Sequence, residues 1–342
     1  MRERSDVMKI LVTGGCGFIG SNFIRYMLEE YENVEITNLD ALTYAGNLKN
    51  LVDLEDNSRY TFVRGDITDK DVVAELLKPG MDGIVNFAAE SHVDRSILDS
   101  TPFITTNVLG VHVLLAAAVE YEAGRFLQVS TDEVYGALGE TGRFTETTPL
   151  SPSSPYSASK AAADLIVGSF HKTFGLETII TRCSNNYGPY QFPEKLIPFF
   201  VTNAMNDMEL PLYGDGLYVR DWIYVKDHCQ AIDVALRKGR PGEVYNIGAD
   251  SEESNIEITK LILAELGKPE SLIKFVKDRP AHDRRYAIDA GKIREELGWE
   301  PHFTFEEAMS ETIRWYVDEQ EWWKSVRSGE YLKYYEEQYG DR

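Results

Sequence analysis

The sequence predicts an α/β protein built on a doubly wound parallel sheet, with a smaller C-terminal lobe. Three observations predict it. Apolar, strand-like runs alternate with helical patterns through the first half of the chain, the order expected of parallel strands joined by crossover helices. A glycine-rich turn, Thr13-Gly14-Gly15-Cys16-Gly17-Phe18-Ile19-Gly20, lies between the first such run and the first helix. After Cys183 the pattern changes to short segments rich in Pro, Gly and aromatic residues, up to about Tyr224.

Taken in order, Lys9–Thr13 reads as the first strand, and Phe18 to Tyr31 as a helix with Ile19, Phe23, Tyr26 and Met27 at helical spacing. Val34 to Leu39, Tyr60 to Arg64 and Gly83 to Phe87 read as the next strands. Long helices are expected over Phe103 to Tyr121 and Ser157 to Phe174, with the strand Phe126 to Ser130 between them and Thr178 to Arg182 after them. Glu243 to Ile247 is a further strand among helices. The expected division is a dinucleotide-binding domain over residues 8–183, with returning segments near 222–248, and a second lobe over residues 184–342. No internal repeat or low-complexity linker interrupts the chain.

At 342 residues with 43% hydrophobic composition, the chain can bury a sizeable core. Its formal charge of -21 argues against nucleic acid or an anionic membrane as a partner. It leaves room for a small anionic ligand held by local arginines. Cys16, Cys183 and Cys229 show neither metal-ligand spacing nor a disulfide framework, so no metal is expected and a reducing, cytoplasmic compartment is. The start, Met1 to Met8, is charged and has no signal-peptide core, and no run reads as long and apolar enough to span a membrane.

The glycine turn satisfies G-x-G-x-x-G through Gly15, Gly17 and Gly20, and G-x-x-G-x-x-G through Gly14, Gly17 and Gly20. Such glycines let the backbone approach a pyrophosphate, which the following helix N-terminus, here Phe18 and Ile19, stabilises. A Rossmann-like dinucleotide site follows. Asp40 ends the second strand about twenty residues on, with Ala41, Leu42 and Thr43 beside it. An acidic residue there accepts hydrogen bonds from a ribose and repels a 2′-phosphate, which favours NAD over NADP. Asp66 and Ile67 follow the third strand where an adenine would lie, and Phe87-Ala88-Ala89-Glu90-Ser91 puts small residues beside the cofactor.

Ser130-Thr131-Asp132-Glu133-Val134-Tyr135-Gly136 sets a hydroxyl and two adjacent carboxylates at a strand end, where open α/β sheets bind ligands. Two such carboxylates can divide proton donation and abstraction between them, although a helix cap with a solvated acidic turn has the same composition. Tyr156-Ser157-Ala158-Ser159-Lys160 puts a phenol and an ammonium on one helix face. A tyrosine with pKa of about 10 is a poor base unless a nearby cation favours its phenolate. With an ammonium and an oxidised nicotinamide beside it, Tyr156 could take the proton of a sugar hydroxyl, and Thr131 could hydrogen-bond the same oxygen.

Glycine turn, acidic strand end and YxxxK together resemble the extended short-chain dehydrogenase/reductases. Within that superfamily, five stretches resemble the nucleotide-sugar 4,6-dehydratases that act on dTDP-glucose: Ala88 to Ser96, Ser130 to Gly136, Asn185 to Pro198, Arg220 to Val225 and Asp278 to Tyr286. Ala41 and Ala281 depart from the Lys and Gly common there. The resemblance implies oxidation at C4, removal of the C5 proton by Glu133, protonation of the departing C6 hydroxyl by Asp132, and hydride return to C6. It implies substrate contacts from Ser91, Thr131, Asn185, Lys195, Leu196, Pro211, Leu212, Tyr213, Arg220, Asn255, Asp278, Arg279, Pro280, Ala281 and His282, with Asn186 and Thr106 beside the cofactor. Arg220 and Arg279 suit phosphate oxygens as charged donors. His92 is expected to hold local structure, and Trp315, Tyr316, Trp322 and Trp323 to pack. The helices Val108 to Tyr121 and Ser157 to Phe174 imply a homodimer. A nucleotide-sugar 4-epimerase, or a dehydratase for another nucleotide, is the nearest alternative. A non-enzymatic NAD-binding sensor is more remote, because Thr131, Tyr156 and Lys160 are all present.

Overall fold

The computed structural model describes residues 7–278 and 283–327. Six strands of the expected alternation form its backbone: β1 Met8–Thr13, β2 Val34–Asp40, β3 Tyr60–Arg64, β4 Gly83–Asn86, β5 Arg125–Thr131 and β6 Thr178–Cys183. Strands β7 Asn185–Tyr187, β8 Leu210–Tyr213, β9 Val219–Tyr224, β10 Val244–Ile247, β11 Glu252–Ser254 and β12 Ile273–Val276 follow. A seven-stranded sheet runs in the order β10-β6-β5-β4-β1-β2-β3. All its pairings are parallel. The middle strands are buried along most of their length, including Ile10, Leu11, Val12, Ile84, Val85, Phe126 and Leu127 at 0% exposure, because helices cover both faces. The chain starts in β1, moves outward through β2 and β3, then crosses back to β4. The strand order therefore reverses between β1 and β4, and the crevice above that reversal is where ligands bind in such sheets.

A three-stranded sheet, β11-β9-β7, and a two-stranded one, β12-β8, form beside it. Strand β7 follows β6 after a single residue, so the carboxyl end of β6, which carries Cys183, leads directly into Asn185 and Asn186. Phe144 and Ile288 join the 137–150 segment to the C-terminal part through a parallel bridge.

The largest departure from the sequence expectation lies between β4 and β5. The single helix expected over Phe103 to Tyr121 is interrupted. A short helix Val93–Leu98 precedes Thr101–Ile104, a π-helical turn covers Thr105–Gly110, and Val111–Glu120 resumes the α-helix. The inserted residue of a π turn breaks the apolar stripe that sequence periodicity tracks. The whole stretch Thr101–Glu120 is long and apolar enough to cross a membrane on length and composition, contrary to the expectation that no run is. Half of its apolar window is buried inside the protein, and it packs beside the helix Pro155–Phe174.

Candidate active site

The turn after β1 is shaped by absent side chains. Gly14 sits at φ +69°, and a Cβ there would come within 2.6 Å of the Ala88 nitrogen. A Cβ on Gly20 would come within 2.5 Å of the Gly14 oxygen, so the first helix could not approach the turn. Asp40, 7% exposed, is fixed from both sides: the Cys16 N–H donates to Oδ2 at 2.8 Å and the Leu42 N–H to Oδ1 at 2.8 Å. Burial raises the pKa of Asp40 and those two bonds oppose the rise. A single cleft runs from Gly14, Gly17, Phe18, Ile19 and Gly20 past Asp40, Ala41, Thr43, Asp66 and Ile67 to Phe87, Ala88, Ala89, Ser91 and Thr106. It continues to Thr131, Asp132, Glu133, Tyr156, Lys160, Asn185, Asn186 and Lys195. The glycine cradle and the fixed carboxylate fit an NAD dinucleotide.

At the far end, β5 delivers the two carboxylates. Thr131 caps the 3-10 turn Asp132–Tyr135, its hydroxyl accepting from the Glu133 N–H at 3.3 Å and donating to Asp132 Oδ1 at 3.2 Å. The cap reading and the catalytic reading thus describe the same residues. Asp132 is 2% exposed, and its Oδ2 has no hydrogen-bond partner among the described residues. Burial, then the charges of Glu133 and Asp221, push its pKa up to about 8. Neighbouring carboxylates in such unequal surroundings separate into a protonated acid and an ionised base.

Ser154 and Ser157 form a capping box that starts the helix Pro155–Phe174, with Pro155 at its first position. Tyr156 and Lys160 therefore stand one turn apart in the wall of the cleft. The Lys160 ammonium donates to the Val129 carbonyl at 2.7 Å. Burial lowers the Lys160 pKa, while Asp164 opposes the fall. Asp164 is itself paired with Arg182 at 2.9 Å. Burial, with the charges of Glu133 and Asp132, holds the Tyr156 phenol well above its usual range, and Thr131 opposes this. The sequence reading gave the nearby ammonium a share in favouring the phenolate. In the protein alone, burial is the largest influence on the phenol, and it raises the pKa.

Several expected substrate contacts do not line this cleft. Leu42, expected among the cofactor contacts, is likewise absent from its lining, and its N–H holds Asp40. Pro211 and Leu212 are buried in β8, with Tyr213 at its end. Asn255 opens the helix Asn255–Glu265, and Leu196 opens Leu196–Met205. Arg220 is 6% exposed, with its guanidinium over the Tyr286 ring and bonded to the Val219, Asp283 and Arg284 carbonyls. Its charge lowers the Asp132 pKa. The Asp278 carboxylate accepts from the Tyr218 hydroxyl. Arg279, Pro280, Ala281 and His282 lie outside the described residues.

Sequence reasoning assigned no role to several groups that the fold brings to the site. Glu194 lines the cleft with a side chain 3% exposed; Tyr44 donates to its Oε1 at 3.3 Å, and His92 Nε2 is 3.7 Å from its Oε2. His228, fully buried, keeps Nδ1 2.8 Å from Asn186 Oδ1. Asn186 Nδ2 already donates to the Ser184 carbonyl, so His228 is the donor. Burial pushes the His228 pKa down to about 3, so the ring is neutral. Asn107, in the π-helical turn, accepts from the Glu90 N–H at 2.9 Å and donates to the Glu90 carbonyl at 2.9 Å and to the Ser159 hydroxyl at 2.8 Å. A polar residue on an apolar helix was the one signal for Asn107. The pairings of Glu194 and His228 had none.

The model of the GDP-mannose 4,6 dehydratase family matches residues 11–312. A dTDP-glucose 4,6-dehydratase from Xanthomonas campestris pv. campestris is 54% identical over 340 residues, covering 94% of this chain and 96% of that protein. The chain belongs to the dTDP-glucose 4,6-dehydratases. Two solved dehydratases share its fold. One from Bacillus anthracis, in complex with NAD, has a TM-score of 0.88 at 54% identity over 94% of this chain and 100% of its own. One from Streptomyces venezuelae, with NAD and a second ligand bound, has a TM-score of 0.91 at 49% identity over 93% and 100%. The Asp132-Glu133 pair and the Tyr156/Lys160 pair therefore lie in a dehydratase fold that holds NAD in these relatives.

Proposed function

We propose that this chain converts dTDP-glucose to dTDP-4-keto-6-deoxyglucose and water, for deoxysugar synthesis, with the cleft residues dividing the proton transfers. NAD, when bound, supplies the hydride acceptor and donor, and a positive charge beside the Tyr156 phenol. Tyr156 takes the proton of the sugar 4-hydroxyl, and Lys160, held by the Val129 carbonyl, keeps its charge close by. Thr131 hydrogen-bonds the same oxygen. The resulting 4-ketone acidifies the C5 hydrogen, and Glu133 removes it as a proton. Asp132 gives its proton to the departing 6-hydroxyl, which leaves as water. Lys195, Ser91 and Asn185 contact the sugar and its diphosphate from the cleft wall, and Arg220 acts from behind Asp132.

One observation carries the reading: adjacent carboxylates, one buried with its pKa pushed up to about 8, share a cleft with a Tyr/Lys pair. A 4-epimerase needs the Tyr/Lys pair alone, since it only returns hydride to C4 on the other face. We place the enzyme in the cytoplasm as a homodimer; three free, buried cysteines suit a reducing compartment. The test is product analysis with a panel of nucleotide-activated glucoses. A 6-deoxy-4-keto product from dTDP-glucose, formed faster than from the UDP, GDP or ADP forms, is expected. A 4-epimer with its 6-hydroxyl intact would overturn the proposal.

A further inference from the structure

The short helix Gln320–Val326 lies far along the chain from the glycine turn, yet a buried hydrogen-bond chain connects them. Trp322 is 8% exposed, and its Nε1 donates to Asn50 Oδ1 at 2.9 Å. Asn50 is 2% exposed, and its Nδ2 donates to the Cys16 carbonyl at 2.9 Å. The N–H of that same Cys16 holds Asp40 Oδ2 at 2.8 Å. Each Asn50 side-chain atom thus has one directed partner, and the amide cannot flip without losing both. Together with the Asn47 N–H at 3.0 Å, that amide fixes the Cys16 carbonyl and so the Cys16–Gly17 peptide unit. The Cys16 Cα joins that unit to the Gly15–Cys16 unit, whose N–H holds the carboxylate placed to read the ribose.

The same indole also packs against a segment whose next residues line the cleft. Trp322 and Trp315 pack on the Tyr190 ring, with centroids 5.8 and 4.8 Å away. Tyr190 sits at φ +66°, a conformation that a bulky residue keeps only where its surroundings hold it. Gln191, Glu194 and Lys195, just beyond it, line the cleft.

We propose that Trp322 is a positioning residue for the dinucleotide subsite, acting through Asn50 on the backbone at Cys16. The inference rests on the reading of this turn as the NAD site. NAD retention by the unmodified chain tests that reading; the variants test the relay. Trp322→Phe keeps an aromatic ring against Tyr190 but removes the indole N–H, leaving Asn50 Oδ1 buried and unpaired. The control is Trp323→Phe. Trp323 is 3% exposed and its Nε1 donates at 2.8 Å to the Tyr316 carbonyl, so it loses an equally buried bond that does not lead to the turn. Holoenzymes are diluted and NAD release is followed by fluorescence, with thermal melts alongside. Trp322→Phe should release NAD about five-fold faster or more, and raise the KM for added NAD while leaving kcat at saturation within about two-fold. Trp323→Phe should lower the melting temperature comparably and leave NAD release unchanged. Asn50→Ala should match or exceed Trp322→Phe. Unchanged release in Trp322→Phe, or equal acceleration in the Trp323→Phe control, would overturn the relay while leaving the NAD site intact.

Discussion

At the scale of single residues, Asp132 and Glu133 show how one strand end produces two chemistries. Both follow Thr131, which the turn uses as its cap. Asp132 turns inward, where burial and the neighbouring charges of Glu133 and Asp221 keep its proton; Arg220 and Thr131 oppose them. An acid works only while protonated, and a raised pKa extends that range upward. The elimination rate should therefore hold at neutral pH and fall as pH rises through about 8. The check is the pH profile of kcat for the unmodified enzyme and Asp132→Asn, which should lose that limb along with most of its rate. A descending limb retained in Asp132→Asn would assign the proton to another group. The carboxylates, the Tyr156/Lys160 pair and Asp40 were legible in the sequence because each lies at a strand end or on one helix turn, where local spacing sets position. Glu194 and His228 were not, because their pairings with Tyr44 and Asn186 join residues distant in the chain.

At the scale of elements, the π-helical turn Thr105–Gly110 is the feature that periodicity could not find. Apolar spacing announced a helix there and overran the interruption. The turn puts Thr106 in the cleft wall and lets Asn107 hold both backbone groups of Glu90 while reaching Ser159 on the Tyr156 helix. The loop after β4 and the helix of the Tyr/Lys pair are thereby set against each other. Asn107→Ala leaves the Glu90 backbone groups without their side-chain partner, at about 1–3 kcal/mol per buried group. It should lower kcat about ten-fold or more, with a loss of several degrees in melting temperature. Full activity in a less stable Asn107→Ala protein would make the clamp structural only. The strands were far more legible. Tyr60–Arg64 matches its expected bounds, and the others shift by a residue or two at their ends, since continuous apolar runs are what fully buried parallel strands require.

At the scale of the whole molecule, apolar surface remains uncovered along one flank. Leu98 is 78% exposed, Leu165 67%, Phe174 58%, Ile104 52% and Leu109 48%, all on the interrupted helix, its neighbour or the Tyr156 helix. Leu109, Leu165 and Phe174 lie on the helices that the homodimer proposal pairs, and Leu98 and Ile104 lie on the short helices just before them. Light scattering should give twice the chain mass of 38.8 kDa, and Leu98→Glu with Leu165→Glu should return the monomer. A double variant that remains dimeric would move the interface elsewhere. The central claim is that the whole cleft runs one closed cycle, with C4 oxidised, water lost across C5 and C6, and the hydride restored at C6. The most direct measurement is product analysis by mass spectrometry and NMR, with dTDP-glucose deuterated at C4 and, separately, with unlabelled substrate in D2O. The account predicts that the C4 deuterium appears at C6 of a 6-deoxy-4-keto product, and that solvent deuterium enters at C5, where Glu133 removed the proton. Deuterium returned to C4 in a product that keeps its 6-hydroxyl would contradict it.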